Sequence, residues 1–174
     1  LGEVNGGWAV VREPLDAEHG AVAAADDGLQ DVSIMAHQAG FMSTAVDRAA
    51  RRSALPDASG ERLIDDGAVA FRLGRSVARM EAALSAPSIF GRVATAQTMR
   101  DISPDLMDLL GAASALPVDA DGAADDGASE YVYRFAPLAG IYGGTLEVFR
   151  NMIAQHVLGL GKPAYAAPSS SKAS

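Results

Sequence analysis

"LDAEHGAVAAADDGLQDVSIMAHQAGFMSTAVDRAARR", residues 15–52, decides the fold. Its apolar residues Val22, Ala25, Leu29, Val32, Ala36, Ala39 and Met42 recur at spacings of three and four, and Met35, Val46 and Ala49 widen the stripe. That period belongs to a helix facing a core. Unbroken, such a helix would run roughly 55 Å, long for a small globular domain but ordinary in a bundle.

Working outward, "LPDASGERL" interrupts the pattern. A second helix starts at Asp65 or Asp66 as N-cap and carries Val69, Leu73, Val77, Met80 and Leu84 on one face. Arg72, Arg75 and Arg79 fall elsewhere and read as a solvated face. "APS" closes this helix, and Ser88 is placed to cap a third that holds Ile89, Phe90, Val93 and Met99. Pro104 lacks an N–H and would clash with the Arg100 carbonyl, so a kink or a restart is expected before the helix continues through Leu106, Leu109 and Leu110 to Gly111. "PVDADGAADDGASE", residues 117–130, is acidic and without apolar period, which predicts a mobile loop. A last helix opens near Thr145, carries Val148, Phe149, Met152, Ile153 and Val157, and is closed by Gly159 and Gly161. Four helical segments without credible strand pairing give an all-α, up-and-down four-helix bundle over residues 15–163. Residues 1–14 are expected to end a preceding domain with its linker, and 164–174 to form a disordered tail.

Composition limits the functions available. A length of 174 residues suits one core-bearing domain. The formal charge of −8, with arginines interleaved among acids, argues against nucleic-acid binding. Without cysteine there is no disulfide framework, thiolate nucleophile or zinc-thiolate site, which fits a reducing cytoplasm. No apolar run approaches the roughly 20 residues of a membrane span, and "LGEVNGGWAVVREP" lacks the basic start of a signal peptide. The chain reads as a fragment that starts in mid-domain.

Local chemistry is sparse. His19, His37 and His156 are not paired at ligand spacing, so no metal site is expected, and His37 is expected as a half-buried polar residue. Asp119, Asp121 and Glu130 match three places of a calcium-binding loop, but Ala123 and Ala124 occupy the fifth and sixth, where a ligand and the turn glycine belong. No phosphate-binding, dinucleotide or nucleophile-elbow motif is present. Glu18, at the head of the long helix, would be a general base under a substrate pocket; the alternative is that it complements the helix dipole with Asp16. Gly143 and Gly144 either form a tight entry turn or let the backbone approach something closely.

"IYGGTLEVFRNMIAQHVLGL" resembles the C-terminal segment of the acyl-CoA dehydrogenases, in which an aromatic, two turn residues, Thr and an Arg-Asn pair precede a helix ending in Leu-Gly-Leu. "LGEVNGGWAVV" and "LDAEHG" are similar to that family's passage from its middle domain into the first helix of its C-terminal domain. The resemblance spans residues 1 to about 163. It implies FAD-dependent α,β-dehydrogenation of an acyl-CoA thioester, with an electron-transfer flavoprotein or similar acceptor, in a cytoplasmic homo- or hetero-oligomer. Many members carry the base just before the Gly-Thr, a place taken here by Gly143; others carry it where Glu18 stands, which makes Glu18 the catalytic candidate. Gly143, Gly144, Thr145 and Glu147 are implied to approach FAD, and Arg52 to reach the FAD pyrophosphate of a neighbouring subunit. The family's Arg-x-x-Phe-Gly reads "RSALP" here, and its Gln-x-x-x-Gly-Gly-x-Gly stretch gives way to the acidic loop from Pro117. This half-degraded flavin site resembles the heteromeric acyl-CoA dehydrogenases of steroid side-chain breakdown, whose unlike subunits share FAD. The alternative is a non-catalytic partner subunit or scaffold. Most of the pocket in this family comes from other domains, so the fragment alone is expected to be inactive.

Overall fold

A computed structural model describes residues 2–24 and 32–161, with side-chain environments given for residues 2–17 and 36–161. Among them the secondary structure is helical: α1 (Gly7–Ala24), α2 (Val32–Ala54), α3 (Gly67–Leu84), α4 (Ser88–Leu110), α5 (Ala128–Ala139) and α6 (Leu146–Met152). The expected all-α class holds.

Side-chain pairings set the helix directions. Arg72 and Arg79 of α3 meet Asp105 and Asp101 of α4, so those helices run antiparallel. Gln38, near the start of α2, and Arg92, near the start of α4, both bond the Ala139 carbonyl at the end of α5. Arg48, further along α2, pairs with Asp126 just before α5. Helices α2 to α5 therefore alternate up and down, with α4 packed on the other three. Met42, Val46, Met99, Ile102, Leu106 and Val132 fill the space between them at 2 % exposure or less. Each such side chain contributes about 1.5–3 kcal/mol by leaving water.

Several sequence expectations change. The first helix begins at Gly7, eight residues before Leu15, and runs through Pro14; residues 25–31, the middle of the expected long rod, lie outside the described residues. Residues 7–14, expected as linker, are helical, and the expected tail at 164–174 lies outside the described residues. Asp66 does cap α3, its Oδ1 accepting from the N–H groups of Ala68 and Val69 at 2.7 and 3.1 Å. Ser88 does not cap α4: it is the first helical residue, and the cap position falls on Pro87, which makes no side-chain cap bond. Nor does Pro104 force a restart. One helix continues from Ser88 to Leu110, because Ile102, Ser103 and Leu106 are buried on either side of the exposed Pro104 and outweigh one missing hydrogen bond.

The largest correction is α5, which supplies the fourth wall of the bundle in place of the segment after Thr145. Ala128, Val132, Ala136 and Ala139 are its buried face, at spacings of four, four and three. The end of the acidic loop is anchored by buried Asp125, whose Oδ2 accepts from Ser129 N–H at 2.9 Å and Ser129 hydroxyl at 2.6 Å. Gly127 fits that turn for two reasons: its φ is +75°, and a Cβ there would lie 2.3 Å from the Val118 nitrogen. Segment α6 is short and passes at Ile153 into a π-helical turn that ends at Val157.

Candidate functional site

The corner between α5 and α6 collects most of the residues singled out by sequence. Gly143 and Gly144 have φ values of +67° and +116°, conformations a side chain rarely adopts, so the tight-turn expectation is met in the backbone. Two longer-range bonds close the corner: Tyr142 N–H donates to Leu138 O at 3.1 Å and Leu146 N–H to Gly140 O at 3.1 Å. Thr145 is in extended conformation and caps α6, its hydroxyl oxygen accepting from Val148 N–H at 3.4 Å. A Cβ on Gly144 would sit 3.2 Å from the Phe149 ring, so the ring and the turn are already in close contact.

Glu147 lies on the exposed side of α6 and pairs with Arg150 at 3.5 Å. Its own backbone N–H, then the Thr145 hydroxyl, with a lesser contribution from Arg150, hold its carboxyl below the usual range. Such a shift makes the Glu147 carboxylate a weaker base than an ordinary one. Arg150 also donates to Gln97 at 3.1 Å, which in turn donates to Asp101 at 2.9 Å and ties α6 to α4.

Beneath the corner lies a polar cluster that the sequence did not flag. Arg92 of α4 is 4 % exposed and Gln38 of α2 fully buried. Arg92 donates through Nη1 to Gln38 Oε1 at 3.0 Å and Ala139 O at 2.8 Å, and through Nη2 to Tyr142 O at 2.8 Å. Gln38 Nε2 donates to Ala139 O at 3.1 Å and to the Tyr142 hydroxyl at 3.2 Å. The Tyr142 and Phe149 rings flank the guanidinium at 5.6 and 5.0 Å. The available signal was positional: Arg92 falls on the buried face of α4 with Ile89, Ala96 and Met99, at helical spacing.

Not every candidate converges here. Arg52 is half-buried near the far end of α2, fourteen residues beyond Gln38 and so roughly 20 Å along the helix. Glu18 lies in α1, and its side chain is outside the described residues. His37 is exposed rather than half-buried, with its ring edge-on to Phe41 at 5.5 Å. Among the described residues no three His, Asp or Glu side chains converge as metal ligands, and no helix is long and apolar enough to cross a membrane. A cavity of about 270 Å³ between α2 and α5, lined by Phe41, Thr44, Tyr131 and Val132, opens beside the Arg48–Asp126 pair, away from the corner.

Fold and corner together define a helical bundle domain with a glycine-opened turn leading into its last helix. Residues 85–158, from the end of α3 through the π-helical turn, match the acyl-CoA dehydrogenase C-terminal domain family. This region, with the corner and Arg92 inside it, is similar to the acyl-CoA dehydrogenase C-terminal domain, as its sequence resemblance implied. Among solved structures, the chain is similar to one in the ChsE4–ChsE5 complex from Mycobacterium tuberculosis, at 26% identity and a TM-score of 0.63, covering 72% of this chain and 36% of that one. It shares a fold with a chain of a variant of the Tcur3481–Tcur3483 steroid ACAD, at 23% identity and a TM-score of 0.55, covering 94% of this chain and 42% of that one. The chain thus spans well under half the length of these relatives. No curated protein matches it.

Proposed function

We propose that this chain is the C-terminal part of a FAD-dependent acyl-CoA dehydrogenase and lends its α5–α6 corner to a flavin site. The observation that carries this reading is the corner itself: two consecutive glycines at positive φ, followed by a capping Thr, inside the region that matches the family. These residues fit a flavin. Gly143 carries no side chain, whereas the Phe149 ring covers the Cβ side of Gly144, so a flat ring would approach the backbone at Gly143, with Thr145 and Glu147 as polar neighbours. Bound flavin would supply the hydride acceptor for oxidation between the α and β carbons of a thioester. Glu18 is the candidate for removing the α-proton, since Gly143 has no carboxylate and Glu147 is exposed, with its carboxyl held below the usual range and so a weaker base. Arg52 would face a neighbouring subunit rather than this corner.

The heteromeric form of this proposal, in which an unlike subunit completes the site, draws support from the likeness to a two-component complex and from the substituted "RSALP" turn. Expressing the full-length protein alone and with related partner subunits tests it. Stoichiometric FAD and turnover are expected only with a partner, and a lone homo-oligomer that binds FAD and turns over would refute the shared site. Within the active assembly, Glu18→Gln should lower kcat by about 10²–10⁴-fold. An unchanged rate would favour the second reading, a non-catalytic subunit, for which the bare Gly143 is the motive.

A further inference from the structure

We propose that Arg92, assisted by Gln38, is a positioning residue that sets the conformation of the Gly143–Gly144–Thr145 corner from beneath, inside the bundle. Its functional consequence rests on the flavin reading above.

The guanidinium fork spans two carbonyls three residues apart, Ala139 O through Nη1 and Tyr142 O through Nη2, both at 2.8 Å. Ala139 is the last residue of α5, where the helix leaves carbonyls without partners and where its dipole favours a cation. Arg92 therefore caps α5 from another helix. Because Tyr142 immediately precedes Gly143, the same side chain also fixes the residue from which the glycine turn departs. Gln38 gives the Ala139 carbonyl a second donor and holds Nη1 through its own Oε1, which leaves the fork little freedom to rotate.

The far side of the turn is held as well. The Phe149 ring lies 5.0 Å from the guanidinium and presses on Gly144, where a Cβ would be only 3.2 Å away. Arg92 thus touches the chain before the corner through hydrogen bonds and after it through a ring. Two adjacent glycines have little conformational preference of their own, so a turn built from them needs such external restraint to keep one shape. Lysine cannot replace this arrangement, because a single ammonium lacks the planar fork that reaches both carbonyls.

The test compares the flavin-loaded, full-length assembly with its Arg92→Lys variant by amide hydrogen exchange and by flavin affinity. Arg75→Ala, which removes an arginine from the α3 surface, serves as control. Arg92→Lys should speed exchange across residues 141–149 by about tenfold or more while α3 stays near wild type, and weaken flavin binding by about tenfold. Faster local exchange with unchanged flavin affinity would uphold the positioning role and sink the assignment of flavin to this corner. Unchanged exchange at 141–149, or an equal rise throughout the bundle, would overturn the positioning role. Should Arg92→Lys fail to fold, Gln38→Met removes one donor to Ala139 and the Oε1 brace, and must give the same local pattern for the proposal to stand.

Discussion

Two groups of arginines face each other across α4 and are put to different uses. On one side Arg72, Arg75 and Arg79 of α3 meet Asp101, Asp105 and Asp108 of α4 in a ladder open to water, with arginine side chains 31 to 45 % exposed. On the other side Arg92, inside the bundle, bonds backbone carbonyls and a buried amide. The ladder joins charges that solvent would otherwise hydrate nearly as well, so each pair contributes little. Arg92 has left water almost entirely, and its hydrogen bonds are what make burial tolerable. Exposed arginines here fasten two helices, whereas the buried one shapes a turn.

The sharpest way to break this contrast is Arg92→Leu. It leaves the Tyr142 carbonyl without its donor, and the protein should lose about 2–5 kcal/mol of stability in urea unfolding. A loss no greater than that of the ladder variants would erase the distinction. Next comes Gly127→Ala, a change without charge. The positive φ alone costs about 1–3 kcal/mol, and the close approach to Val118 adds to it. A near-neutral result would mean that the acidic loop is not anchored where α5 begins.

Asp105→Asn should cost no more than about 1 kcal/mol, since water screens the ladder. Its pH dependence has a definite sign. Bonding to Arg72 first, and then to Arg75, holds the Asp105 carboxyl below its ordinary value. Its contribution is therefore complete above the unfolded-state value near ~3.9 and is lost as pH falls through the lower folded value. Unfolding midpoints followed from about pH 6 to about pH 3 should decline less in Asp105→Asn than in the parent. Smallest of all, Arg62→Ala removes an exposed pair with Asp65 and should leave the thermal midpoint unchanged within error.

What the sequence made legible was local. Asp65 or Asp66 was readable as a cap, and Thr145 as a helix start, because such signals act within about three residues. The glycine pair was readable as a turn for the same reason. Helix α5 was hidden by an acidic run before it and by Pro137 near its end, although Ala128, Val132, Ala136 and Ala139 carried the period. The α3 arginines looked merely solvated because their aspartate partners lie 22 to 36 residues away. Arg92 was hidden most completely, since Gln38 and Tyr142 stand 54 and 50 residues distant and only the folded bundle brings them together.

The π-helical turn after Met152 changes what the end of the chain can do. Leu158 N–H bonds Ile153 O at 2.9 Å, five residues back, so this turn holds one residue more than an α-helix would. An added residue advances every later side chain by about 100° around the axis. Leu158, which a regular spiral would direct elsewhere, stands 60 % uncovered. Deleting a single residue from this wide coil would swing Leu158 to another side without altering its chemistry.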